Sequence, residues 1–241
     1  MQVDPRTVAR DIFGVVDELF PHLTPGAVNN FNSRIIEVDF GESPENFIAS
    51  SKLQKALLFE LAYSVAESLL SELPIDWDRC LSMAIDRQRS FFDAKVSRSL
   101  EDPDKTAALM VGTNLAHWLV LQSSANGNVL TSGPFIPGLE WIASGRGDFS
   151  IAESLIEVKC TAKKFSSADF RQVSIYWLMS YAAALEGRGE EWREFTLFNP
   201  RRGEFLTMKF DNLLSSIAGG RTKLEILQLF HSLVGSRAHS Q

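Results

Sequence analysis

Cysteine is scarce in this chain: Cys80 and Cys160 are the only two in 241 residues. Two distant thiols exclude a cysteine-ligated zinc or iron–sulfur centre built by this chain alone. They allow a single disulfide, but two reduced, buried thiols are the expectation for a cytoplasmic protein. Long apolar runs are also missing, and none reaches the length needed to cross a bilayer. Asp4, Arg6 and Arg10 interrupt the first apolar residues, which is not the pattern of a secretory signal. A soluble, cytoplasmic protein with no membrane partner is therefore expected.

Positive charge is not in excess either. The formal net charge is −6, unlike that of a protein that grips nucleic acid non-specifically. Local charge still differs from the total: Arg146, Lys159, Lys163, Lys164, Arg171, Arg201 and Arg202 all lie in the second half. There is no internal repeat, no low-complexity segment and no nucleotide-binding loop. Gly219-Gly220-Arg221-Thr222-Lys223 has the wrong spacing for the last.

What is present is apolar patterning. Hydrophobic residues make up 45% of the chain, enough for a substantial core, in one large domain or a small domain with an extension. Only Gly235 to Gln241 reads as a loose tail. Asp4-Pro5 suits a helix start, and Val8, Ile12, Val15, Val16, Leu19 and Phe20 follow at helical spacing. A short strand is expected at Ile35 to Phe40. Ser43-Pro44 starts a long helix to about Leu70, on which Glu60 and Glu67 are most simply solvent-facing, a helical carboxylate completing an acidic site being the alternative. Pro74 breaks it, and Trp77 to about Phe92 is the next helix. Asp102-Pro103 starts another.

The period then changes. Val129 to Ile136, Asp148 to Ile151 and Ser154 to Thr161 read as strands. Only Ala152-Glu153 separates the last two, which predicts an antiparallel hairpin. A helix over Ser167 to Leu185 follows, then strands at Phe195 to Phe198 and Glu204 to Met208 around a turn. Helices from about Leu213 and over Lys223 to Leu233 close the chain. The expected organisation is a helical region 1–102, an α/β core 103–210 and C-terminal helices 211–241, packed as one body.

One constellation in the core carries chemistry. Strand side chains alternate, so Glu157 and Lys159 share a face about 7 Å apart, and Val158 points to the opposite face. Asp148, on the preceding strand, can sit opposite them. Two close carboxylates repel unless a cation lies between them. Asp148 and Glu157, with the backbone carbonyl of Val158, offer the oxygen ligands that Mg²⁺ prefers. Such an ion lowers the pKa of bound water and polarises a phosphoryl oxygen. Lys159 would stabilise developing negative charge or help position the water. Gln172 and Tyr176 are one helical turn apart and face the same way, where they can orient Lys159 or reach a substrate backbone.

The run Gly147-Asp148-Phe149, then Ile156-Glu157-Val158-Lys159, then Gln172-Val173-Ser174-Ile175-Tyr176 resembles the PD-(D/E)xK nuclease superfamily. It is most similar to the RecB-like and Cas4-like branch, which carries a Gln-x-x-x-Tyr motif. Glu-x-Lys alone carries little weight, because it turns up about once in a few hundred positions. The aspartate on the preceding strand, the β-rich surroundings, the Gln-x-x-x-Tyr helix and the helix opening the core give the likeness its force. It covers about residues 103–210 and implies a restriction-endonuclease-like core, a mixed sheet flanked by helices, here with an N-terminal helical extension.

The resemblance further implies metal ligation by Asp148 and Glu157, a catalytic Lys159, and DNA cleavage with Mg²⁺ or Mn²⁺. The branch often adds a histidine on the preceding helix. Gly112-Thr113-Asn114-Leu115-Ala116-His117 fits, which makes His117 a candidate metal ligand. The cluster-binding cysteines of many Cas4-like proteins are absent. A component of a prokaryotic defence or repair system is implied, with DNA as substrate, RNA as the alternative polymer, a protein partner and room for a homo-oligomer. The competing reading is a catalytically silent nuclease-fold module that scaffolds a complex or binds DNA. Competing readings hold for single residues too. His117 could be a core histidine, Tyr176 and Trp177 core aromatics, and Arg201-Arg202 a solvated turn rather than a phosphate contact.

Overall fold

The computed structural model describes residues 3–11, 13–88 and 99–238. Ten helices and eight strands are found among them. The N-terminal part is helical apart from one two-residue strand: α1 (Pro5–Asp11), α2 (Phe13–Leu19), α3 (Pro25–Asn32), β1 (Ile36–Glu37), α4 (Glu45–Ser50), α5 (Lys55–Leu70) and α6 (Trp77–Gln88). Then come α7 (Asp102–Asn126), β2 (Leu130–Ser132), β3 (Phe135–Ile136), β4 (Gly145–Arg146), β5 (Phe149–Ile151) and β6 (Ser154–Val158). The chain ends with α8 (Ser167–Leu185), β7 (Glu194–Asn199), β8 (Glu204–Lys209), α9 (Phe210–Ile217) and α10 (Lys223–Ala238).

The result is an α/β protein with a six-stranded mixed sheet, in the order β1-β8-β7-β6-β5-β2. Strands β6 and β7 pair in parallel, with α8 between them in the chain, and every other pair in this sheet is antiparallel. Two consecutive parallel strands need a crossover, and the apolar helix α8 supplies it. Strands β5 and β6 form the expected hairpin, with Phe149 opposite Ile156. Its turn puts Ala152 at φ 49°, a left-handed conformation that favours glycine.

Each sheet face has its own cover. Phe149, Ile156, Val158 and Phe198 lie in one cluster with Tyr63 of α5 and Leu115, Trp118 and Leu119 of α7. Leu155, Phe195, Leu197 and Leu206 lie in another with Phe170, Val173 and Trp177 of α8. Val8, Val16, Leu19, Phe20 and Phe31 join this second cluster, as do residues of α9 and α10. The first three helices thus share the core of the sheet. A third cluster joins α4, α5, α6 and α7.

Several boundaries differ from expectation. The long helix after Ser43-Pro44 is two helices. Ser51 turns extended (ψ 135°), and its hydroxyl donates to Asp104 Oδ1 and accepts from the Leu53 amide. Val129 to Ile136 is likewise split, because Gly133 adopts φ 60° and β3 leaves the main sheet to pair with β4. Helix α9 starts at Phe210, three residues before its predicted start, and α10 continues to Ala238 through most of the expected tail. Ile12 and residues 89–92 of the predicted helix ends fall outside the described residues. Both cysteines are free, Cys80 buried and Cys160 partly so. No described helix is long and apolar enough to cross a membrane.

Candidate active site

The register of the β5–β6 hairpin sets the site. Phe149 faces Ile156, so the next position outward sets Asp148 beside Glu157. The Val158 amide donates to Asp148 Oδ2 at 2.8 Å. Tyr63, stacked on Phe149 with ring centroids 5.1 Å apart, donates its hydroxyl to the Asp148 carbonyl at 2.9 Å. The aspartate is thereby fixed from two elements.

Glu157, Lys159, Gln172 and Tyr176 meet on the α8 face of the sheet. Lys159 Nζ donates to Gln172 Oε1 at 2.9 Å and to Glu157 Oε2 at 3.3 Å. Gln172 Nε2 donates to Glu157 Oε2 at 2.8 Å and to the Tyr176 hydroxyl at 3.1 Å. The glutamine therefore orients the lysine and the glutamate together. Its place follows from the helix: Ser166 and Asp169 form a capping box that starts α8 beside the end of β6. The Lys159 ammonium lies 3.9 Å from that same Asp169.

A residue not anticipated for the site completes this group. Arg6 of α1 donates from Nε to the Tyr176 hydroxyl at 3.1 Å and from Nη2 to Asp148 Oδ1 at 3.3 Å. Burial alone would disfavour its charged form, but Asp148, Tyr176 and Glu157 more than offset that and raise its pKa. No spacing in the sequence links Arg6 to the motif 142 residues away; only the packing of α1 on α8 brings it there.

The electrostatics are those of crowded carboxylates. Glu157 is almost fully enclosed, and Asp148 is 15% exposed. Burial raises the pKa of Glu157 and the Asp148 charge adds to this, against Lys159 and Arg6. Glu157 Oε1 has no hydrogen-bond partner, a costly state for a buried oxygen. Glu60 of α5 is not solvent-facing as expected. Burial pushes its carboxyl up to about 7, Asp148 adds to the rise, and Arg87 and Arg6 oppose it. Glu67 pairs with the same Arg87, which also lies 3.9 Å from Glu60. Burial and the Glu157 charge also raise the Tyr176 pKa, which keeps its hydroxyl neutral.

These residues fit a hard divalent ion. Mg²⁺ is commonly held by one or two carboxylates with water in the remaining positions. The orphaned Glu157 oxygen and the neighbouring Asp148 supply such a set, with a cation, Arg6, already drawn to the aspartate. Among the described residues no group of three histidine, cysteine, aspartate or glutamate side chains is placed to hold a metal ion, so the pair would bind one with water completing its shell.

Of the other two predicted ligands, His117 is placed apart from the pair and Val158 lies next to it. His117 is exposed on α7, with its ring 6.1 Å from Phe40. It is not beside the carboxylates, because α7 covers the opposite face of the sheet through Leu115, Trp118 and Leu119. The preceding Gly112 has a packing reason: a Cβ there would lie 2.7 Å from the Ala62 carbonyl oxygen of α5. The contact that Val158 makes with the acidic pair is through its amide, and its side chain is buried under α7.

The outlying basic residues divide. Arg201 grips Glu45 with two donors, and Arg202 pairs with Glu204 and donates to the Ala162 carbonyl. Arg171 pairs with Asp17, and Arg146 donates to the Gly133 carbonyl. Lys163 and Lys164 stay exposed in the loop between β6 and α8. Trp177 is a core aromatic, whereas Tyr176 is both buried and part of the site. The chain matches no protein-family model, and no curated protein matches it.

Proposed function

We propose that this protein is a divalent-metal-dependent nuclease that hydrolyses DNA phosphodiester bonds. The observation that carries the reading is the meeting of Asp148, Glu157 and Lys159 at the end of one hairpin, with Gln172 and Tyr176 bonded into the same group. Asp148 and Glu157 would hold Mg²⁺ or Mn²⁺, which when bound supplies an acidified water and a polarised phosphoryl oxygen.

The chain's own groups have separate tasks. Lys159 holds a positive charge beside the carboxylates, where it stabilises negative charge gathering on the phosphate. Gln172 keeps that ammonium in position without adding charge. Glu157 must be ionised to act as a ligand, and its raised pKa makes metal binding compete with protonation. Lys163 and Lys164, exposed in the loop that follows Lys159, are placed to meet a nucleic-acid backbone. By the same resemblance, the protein is a component of a prokaryotic defence or repair system; its patterning suits the cytoplasm, and its acidic charge suits delivery of the nucleic acid by a partner or by the N-terminal helices.

A silent nuclease-fold module, binding DNA or scaffolding a complex, is the second reading. Both oxygens of Asp148 already have partners, Arg6 and the Val158 amide, which favours it. Incubation with Mg²⁺ or Mn²⁺ and linear, circular or single-stranded DNA, and in parallel RNA, separates the two. Cleavage by the wild type that EDTA stops, and that Asp148→Ala and Lys159→Ala lack, supports the nuclease. Equal cleavage by all three proteins marks a contaminant, and no cleavage by any favours the silent module.

A further inference from the structure

Arg6 sits where a cation is most wanted. Its guanidinium bonds Asp148 Oδ1, and both Glu157 and Glu60 lie within electrostatic reach. Arg6 and Lys159 already supply two positive charges to Asp148 and Glu157, with Asp169 also 3.9 Å from Lys159. A divalent ion held by the same two carboxylates brings two further positive charges. The weakest tie in the group then becomes the one to Arg6, because guanidinium and metal seek the same aspartate.

The geometry also says what Arg6 does when released. Nε is bonded to the Tyr176 hydroxyl, independently of the bond from Nη2 to Asp148. Val8 and Ala9 anchor α1 in the core, so the arginine's backbone stays in place. A guanidinium freed from Asp148 but tethered at Nε keeps unpaired donors beside the carboxylates. Its side chain is 34% exposed there, and its planar fork matches phosphate oxygens.

We propose that Arg6 and a divalent ion are alternative partners of Asp148, and that the displaced guanidinium binds a phosphate of the nucleic-acid substrate. Arg6 is thus a substrate-binding residue, supplied by the N-terminal helix to a site built on the sheet. The proposal rests on the metal-site reading above, and its test distinguishes the two.

The test is calorimetric titration of Ca²⁺ into wild type, Arg6→Gln, Arg6→Met and Asp148→Asn, followed by binding of a short labelled DNA duplex in Ca²⁺. Arg6→Met keeps the aliphatic stem and repeats the measurement apart from any folding defect in Arg6→Gln. Both neutral variants should bind Ca²⁺ roughly fivefold more tightly than wild type, as loss of a competing ion pair implies. Both should bind the duplex several-fold more weakly, and Asp148→Asn should lose the ion. Equal Ca²⁺ affinity in wild type and both Arg6 variants overturns the exchange and leaves the metal site standing. Tighter Ca²⁺ binding with unchanged DNA affinity overturns the phosphate role. No Ca²⁺ binding by any of the proteins overturns the metal site and this inference together.

Discussion

Glu157 shows what the site asks of single residues. It is enclosed, one oxygen is orphaned, and burial together with Asp148 raises its pKa. Glu60 is raised to about 7 for similar reasons. A carboxyl whose folded pKa exceeds its unfolded value binds more protons when folded, so stability falls as pH rises through the window between them. The window here runs from the ordinary value of 4.5 up to about 7. Metal-free protein should therefore melt at a lower temperature at pH 7.5 than at pH 5, and each kcal/mol lost moves the midpoint by about 2–4 °C. Glu157→Gln and Glu60→Gln should each flatten this slope, as calorimetry across pH would show. Gln172 is the second test at this scale. Gln172→Ala removes partners from both Glu157 and Lys159 and should cost about 1–3 kcal/mol in urea unfolding. It should also lower metal-dependent cleavage.

Elements decide which residues can meet. The β5–β6 hairpin was legible because only two residues separate its strands, and so short a turn fixes the register, with Ile151 opposite Ser154. Helix α8 was legible over its full length, since its apolar residues run from Phe170 to Leu185 between Ser166 and Gly187. What the sequence hides is which helix covers which face. Glu60 and His117 each lie on helices that pack on the sheet, yet only the carboxylate turns to the site. That outcome depends on how α5 and α7 cross, and Gly112 sets how closely they approach. Gly112→Val should destabilise the protein by about 1–3 kcal/mol, because its Cβ meets a backbone carbonyl that has little room to move. Ala152→Gly should do the opposite. Relieving a left-handed alanine in the hairpin turn should gain about 1 kcal/mol, seen as a higher denaturation midpoint with unchanged slope.

At the scale of the whole molecule, the N-terminal helices are part of one core with the sheet. Val8, Val16, Leu19, Phe20 and Phe31 pack in the cluster that holds α8, β7 and α10. Deleting residues 1–34 would open that apolar surface to water, and the shortened chain should be insoluble or lack a cooperative melt. The same packing brings Arg6 to Asp148, a contact that a motif confined to residues 103–210 could not reveal. The acidic total charge has a matching consequence: long-range attraction to DNA is weak, so binding should depend on the metal and on local basic groups. The central claim, that Asp148 and Glu157 share a divalent ion, is tested most directly by anomalous diffraction from a crystal soaked in Mn²⁺. One strong peak in contact with both carboxylates is the predicted result. A fully soaked crystal with no peak between them, or with its only peak elsewhere, would contradict the account.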